Sequence, residues 1–570
     1  MTSEEKEMIK TELYRHLEEL CRGEKLSGSE DAKKGADDIC RYLKQKGIPY
    51  ETYTFPAYLS NPLESHFEVF DGEAHFEALK KQEIKSRPRS FSMNCPEPVK
   101  GELLFDPFAS DPSHLAEEKE FLSSVKDKIV LAFGYDEKYA KLLEQYQAAG
   151  LIQIWMSDEE EIHEDTVGTI WGTPDLESVW STLCLPVAAI NGPDGKKLID
   201  RLNRGEKLSA ALSVTVDTHV EKVVLPVAEI RGKSSDFVLL SGHYDTWYEG
   251  AMDNGSSNSI MMELTARFHQ MNQENPLTRS LRIAWWPGHS NGRYMGSAWY
   301  ADHFHQDLCQ NCIAHINSDL TGSVTAKVLA VRTTGLEGQS FYHELSKKSG
   351  IPFPEVWGKI GRGADQSFWG ERIPYHIALR MERLPEEKES AAPGSGDWWW
   401  HTRYDTADKV DPEVMFQKYL CLYEVLNAFL TPQSLPADPD FYFQTIRKEL
   451  LEIEQTGSAT LGEVRELFSE IEKQMRELLK KNNPNTQLLK ETAGRINQLR
   501  QSYGASHGQD LAFSWGTFPL LRAGAIDPKN CPEDWQLFAD TTFLRQKNRC
   551  TDTLTEISKM LKFYLGGTFL

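Results

Sequence analysis

Four short segments place an imidazole or a carboxylate where a strand-like run gives way to a turn. GHYDTW supplies His243 and Asp245 directly after the apolar run DFVLLS. GAMDNGSSN supplies Asp253 on a Gly/Asn turn before a helical pattern, INSDLTG supplies Asp319 after another apolar run, and WHTRYDTADKVDP supplies His401. Imidazole and carboxylate are the usual donors of catalytic zinc, and mixed His/Asp sets hold hydrolytic metals. A carboxylate two residues beyond a histidine is placed to orient that imidazole, here Asp245 toward His243. Any one of these residues alone reads as a turn cap or a loop hydrogen bond. Together, at strand exits where open α/β sheets present their chemistry, they point to metal-assisted hydrolysis.

A fifth segment, WWPGHSNGRYMGS at 285–297, leaves the strand-like run LRIAWW and enters a helical pattern. It carries His289 and Ser290. A neutral imidazole can serve as a base or as a ligand, whereas a hydroxyl is a poor metal ligand beside a carboxylate.

The order GHYD, AMDNGSSN, WWPGHSNG…GS, INSD, HTRYDT resembles the co-catalytic zinc exopeptidase superfamily, which contains bacterial aminopeptidases, glutamate carboxypeptidase and the transferrin receptor. The likeness extends over nearly the whole chain. It implies that His243 and Asp319 bind one metal, that Asp253 bridges to a second, that His401 binds the second, and that Asp245 orients His243. The Asp253–Asn254 bond resembles the family's strained, often cis, peptide. GRGADQSFW, with Asp365 and Phe368, matches the segment that forms a wall of the family's substrate pocket. The departure lies at 289–290. The family has two adjacent glutamates there, a general base followed by a ligand of the second metal. His289 and Ser290 align with them, with one extra residue before Gly296-Ser297. The second position then comprises Asp253 and His401, with His289 as an available donor. The implied cofactor is one or two divalent ions, zinc first, with another divalent metal open.

The expected function is metal-dependent hydrolysis of amide or peptide bonds, aminopeptidase- or carboxypeptidase-like, by a metal-activated water at an altered dimetal site. Catalytic roles fall to His289 and Asp245. Two alternatives stay open: a non-peptidase C–N hydrolase of a small molecule, and a catalytically silent binding protein such as the transferrin receptor. Substrate-facing candidates are Trp247, Asp365, Arg293 and Arg362, the arginines because a guanidinium fork suits a substrate carboxylate. The Trp398–Trp400 run beside His401 could line a flat apolar pocket.

These residues need a scaffold, and 570 residues are too many for one core. Near-continuous apolar strands alternate with helices from 220 to 430, as in a mostly parallel sheet flanked by helices. The expected organisation is an α/β catalytic domain from 1–99 and 219–435, an inserted β-rich module at 100–218, and a helical region at 436–570. The inserted module is similar to the protease-associated domain and is expected to act as a lid. In the last region Leu461, Val464, Leu467, Phe468, Ile471, Met475 and Leu478 mark an amphipathic helix.

The formal net charge is −22, with no Lys/Arg block suited to a nucleic-acid groove. No eighteen-residue apolar run suggests a membrane span, and the charged N-terminus lacks the apolar region of a signal peptide, so a cytoplasmic location is expected. Nine cysteines without a framework suit a reducing compartment, and Cys309-x-x-Cys312 lacks the second pair a zinc ribbon needs. A small-molecule or short-peptide substrate is the expected partner, together with a second copy of the chain. The C-terminal helices exceed what one sheet needs for cover, and the carboxypeptidases it resembles dimerise through such a domain. Light scattering at micromolar concentration should therefore give twice the mass of one chain.

Overall fold

The computed structural model describes residues 2–72, 80–109, 115–134, 136–349, 356–361, 363, 365–387, 396–456, 460–481, 485–503, 507–513, 516–525 and 533–566. At the centre of its sheet lie the strands Ser280–Trp286, Phe237–His243, Cys312–Ser318 and Tyr375–Glu382, in that spatial order and all parallel. Val328–Thr333 adds an antiparallel strand at one side, and Leu208–Ile230 does so at the other. Every residue of Phe237–His243 and of Cys312–Ser318 is buried, which explains apolar runs without alternation. Alternate side chains still serve different cores. Val238 and Leu240 pack with the helices Ser3–Leu20, Ser256–Glu274 and Pro412–Leu430, whereas Phe237 and Leu239 pack with Met295–Asn311 on the other face. The chain is thus α/β, with a mostly parallel sheet between helices.

One feature positions the inserted module. Tyr50–Asp71 and Leu208–Ile230 pair antiparallel along nearly their whole length, with one irregularity between Pro62 and Glu64. Only Val227–Ile230 pairs with Ala284–Leu281 of the central sheet. From there the ribbon runs past the carboxyl ends of the parallel strands, by roughly 50 Å if straight, at about 3.3 Å per residue. Its far end pairs with Cys95–Asp106, which continues through Ile129–Phe133 and Gly150–Ile154 to Val187–Ile190. The expected limits at 100 and 218 therefore cut through Cys95–Asp106 and Leu208–Ile230, because both units share these strands.

Local chemistry also corrects a helix end. EKYAKLLEQYQAAG is expected to run as a helix to Gly150, but the helix is Glu137–Gln145. Gln147 takes a left-handed φ of 62°, and the bonds Ala148 N–H to Leu143 O and Gln147 N–H to Glu144 O close a Schellman motif. Gly150 instead opens a strand, where a Cβ would sit 3.0 Å from Leu212 Cδ2.

The C-terminal region is helical as expected. Gly462–Leu479 buries Val464, Phe468, Ile471, Met475 and Leu478, and Thr486–Gln501 follows. It is tied to the α/β domain through Arg500, whose guanidinium bonds both oxygens of Glu449, at 3.0 and 2.8 Å, and the Thr334 carbonyl. Both charges are buried. Removing one partner leaves the other uncompensated, so Glu449→Ala should destabilise the fold by about 3–5 kcal/mol. The shift in the denaturant midpoint measures this, and Glu449→Gln should lose less because it keeps a hydrogen-bond acceptor.

Candidate metal centre

The parallel strands deliver their termini to one place. His243 ends Phe237–His243, Asp319 follows Cys312–Ser318, and Trp286, paired with His243, leads through Pro287 and Gly288 to His289. Asp253 lies on the turn Ala251–Gly255 before the helix Ser256–Glu274, and the Asp253–Asn254 peptide is cis. That turn is secured from three sides. Asn254 Nδ2 donates to the Ser318 carbonyl at 3.1 Å, Asn258 Nδ2 to the His243 carbonyl at 2.8 Å, and the Asp405 carboxylate accepts the Met252 and Asp253 N–H groups at 2.8 and 3.0 Å. Asp405 of HTRYDT is therefore the anchor of the Asp253 turn.

His243 Nε2 lies 3.1 Å from Asp253 Oδ1 and 3.3 Å from Asp319 Oδ1. All three atoms are buried without a well-formed hydrogen bond. Burial alone opposes charge on each group, but the pairing prevails. The His243 imidazole, joined at Asp253 by His401, holds the two carboxyls below their ordinary range, and the carboxylates hold His243 well above its own. Donors bound about 2.0 Å from one tetrahedral ion stand about 3.3 Å apart. The set fits a divalent cation. The second oxygen of Asp253 faces His401, with Nε2 2.9 Å from Oδ2, and the same oxygen accepts the Trp400 indole N–H at 2.6 Å. Asp253 thus stands between two imidazoles.

Three expected roles change with the geometry. Asp245 is expected to orient His243, but its backbone carbonyl does so, 2.8 Å from Nδ1, while the carboxylate is 3.8 Å away. That carboxylate accepts the N–H groups of His289 and Ser290 at 3.1 and 3.0 Å, fixing the turn that carries the imidazole. Asp365 is fully buried instead of walling a pocket, and its Oδ2 lies 3.1 Å from His289 Nδ1. Arg293 is not free for a substrate carboxylate, because it pairs with Glu137 of the inserted module and bonds the Ala512 carbonyl at 3.0 Å. Arg362 lies outside the described residues. Trp247 lines the cavity. The Trp398–Trp400 run contributes chiefly through Trp400, which touches Asp253 and His401.

His289 groups with His243 and Asp319, not with His401. Gly288 makes its approach feasible: at φ 70° it takes a left-handed turn, and a Cβ would lie 2.5 Å from Met295 Cε. The His289 ring stacks on that of His243, with centroids 3.6 Å apart and planes at 13°.

The inserted module closes over this centre. The Glu164 carbonyl lies 2.9 Å from His401 Nδ1, Tyr248 Oη donates to Glu164 Oε1 at 3.1 Å, and Trp171 Nε1 donates to Ser367 Oγ at 2.7 Å. Donor atoms of His163, Asp165 and His401 fall within 4.8 Å of one another. His163 and Asp165 follow no apolar strand-like run in the sequence, although IHED repeats the His-x-Asp spacing of GHYD. Arg380, 3.6 Å from Asp319 Oδ2 and lining the cavity, sits in the apolar strand Tyr375–Glu382, whose pattern conceals it. The cavity holds about 250 Å³, bounded by Asp165 and Trp171 of the module and by His289, Asp319, Arg380 and His401. A larger cleft of about 640 Å³ lies near the beginning of Ser280–Trp286, by Glu229 and Arg282, away from these donors.

Residues 226–423, the stretch that carries all of the strand-exit residues, match peptidase family M28. Among solved structures, an aminopeptidase from Aneurinibacillus sp. strain AM-1 is similar at 19% identity, over 76% of this chain and 97% of that one, with a TM-score of 0.56. A Bacillus subtilis zinc aminopeptidase is similar at 20% identity, over 74% and 95%, with a TM-score of 0.53. A peptidase M28 precursor from Shewanella amazonensis is similar at 18%, over 76% and 98%, with a TM-score of 0.56. At such identities the likeness is one of fold.

The Asp245 geometry is open to a direct check. Asp245→Ala leaves two buried N–H groups without an acceptor, each costing about 1–3 kcal/mol. Hydrogen exchange at His289 and Ser290 should accelerate, and the melting temperature should fall, while the carbonyl of residue 245 still holds His243 Nδ1.

Proposed function

We propose that this chain, which carries a peptidase family M28 domain over residues 226–423, is a metal-dependent hydrolase of peptide or amide bonds that uses His289 as its base. The observation that carries this reading is the convergence of His243 Nε2, Asp253 Oδ1 and Asp319 Oδ1, buried and otherwise unsatisfied, at the carboxyl ends of parallel strands. A divalent cation held by these donors supplies Lewis acidity and a water of lowered pKa.

Ring geometry favours His289 as base over ligand. The His289 ring stacks on that of His243, so His243 would hold the cation while His289, set against its neighbour's ring face, would stay available to move a proton. An imidazole ligates through its in-plane lone pair. Asp365 takes Nδ1 of His289, which leaves Nε2 to accept a proton from the attacking water and return it to the leaving nitrogen. The zinc aminopeptidase from Bacillus subtilis, whose fold this chain shares, makes zinc the first cation to test.

The cavity volume narrows the substrate. About 250 Å³ is below the range of about 300–1,000 Å³ usual for drug-sized ligands. That supports a dipeptide or a small amide over a long peptide.

The test uses zinc-loaded and chelated protein on aminoacyl anilides, dipeptides and small amides. The loaded protein should hydrolyse at least one class, and the chelated protein none. No turnover of any substrate by the loaded protein would favour a binding role. His289→Ala should lower kcat by about 100- to 10,000-fold while retaining the fold and the metal, and His289→Glu should not simply restore it. Loss of an ion in His289→Ala would make it a ligand instead, and unchanged turnover would remove it from the mechanism.

A further inference from the structure

Among the described residues, the second cation position has Asp253 and His401 from the α/β domain, with a serine at 290 where the resemblance places a carboxylate ligand. We propose that Asp165, carried by the inserted module, is the carboxylate that completes a second divalent-cation site with His401 and Asp253. This rests on the metal-dependent reading above.

Asp165 borders the same cavity as Asp253 and His401. Its Oδ1 accepts the Thr166 N–H at 2.7 Å, which fixes one oxygen. Its Oδ2 lies 3.9 Å from His163 Nε2, the nearest further nitrogen donor. One donor atom each from Asp165, His163 and His401 already falls within 4.8 Å. Two ligands of one zinc ion stand about 3.3 Å apart when each is about 2.0 Å from it, so donors already grouped within 4.8 Å would draw together by at most roughly 1.5 Å on binding it.

The neighbouring residue sets both partners. The Glu164 carbonyl engages His401 Nδ1, so His401 directs Nε2 toward Asp253 Oδ2 as its ligand atom. The same bond fixes the backbone one residue from Asp165. His163, fully buried, stacks on Trp155 with centroids 4.0 Å apart and backs His401 at 4.9 Å. Chemically the site is two carboxylates and one or two imidazoles, a donor set suited to zinc and similar divalent ions. The module is then part of the metal centre as well as its cover.

The experiment counts zinc on chelated and reloaded full-length protein by elemental analysis after gel filtration. Wild type should hold two ions per chain. Asp165→Asn, which keeps the side chain's shape and an acceptor for Thr166, should hold one, with an unchanged melting temperature in the chelated state. Asp165→Ala should behave alike, and Asp319→Asn should weaken the other ion. Two ions in both Asp165 variants would overturn the proposal, as would a single ion in wild type. No ion in wild type would overturn the metal-dependent reading together with it.

Discussion

Asp253 faces His243 with one carboxylate oxygen and His401 with the other, and the Trp400 indole also donates to the second. A charge so deeply buried is tolerable only among partners that neutralise and hydrogen-bond it. Much of the surrounding architecture supplies those partners. The turn bearing Asp253 is held by the Asp405 carboxylate and by amides bonded to the ends of two strands. Displacing any one of these elements would leave the carboxylate exposed to unpaired polar groups on the others.

The same constraint reaches the inserted module. His401 can face Asp253 through Nε2 because its Nδ1 is engaged by the Glu164 carbonyl. That bond crosses from the module to the α/β domain, so the orientation of a central imidazole depends on how the two are docked. The long antiparallel ribbon of Tyr50–Asp71 and Leu208–Ile230 makes this docking reproducible. It is shared by both sheets, and Arg293 with Glu137 adds an ion pair between them.

At 289–290 the backbone is held by the Asp245 carboxylate. What makes the imidazole useful is Asp365, brought from a distant loop to His289 Nδ1. The carboxylate thus engages Nδ1 and leaves Nε2 as the other ring nitrogen.

The sequence by itself was sufficient for the α/β class, the central strands and the group His243, Asp253, Asp319 and His401. Fully buried parallel strands leave continuous apolar runs, and turn chemistry at their exits is local, so both are legible without coordinates. The amphipathic helix at Gly462–Leu479 is legible for the same reason, since its period is written along the chain. The folded chain alone decided which atoms meet. Arg293 pairs with Glu137, the Asp245 carboxylate meets two backbone amides instead of an imidazole, and Asp365 supports His289. His163 and Asp165 join His401 from more than two hundred residues away along the chain. Spacing along a sequence reports neighbours on one strand, turn or helix, whereas contacts between a module and the domain it covers depend on the rigid-body placement of both, which no local pattern encodes.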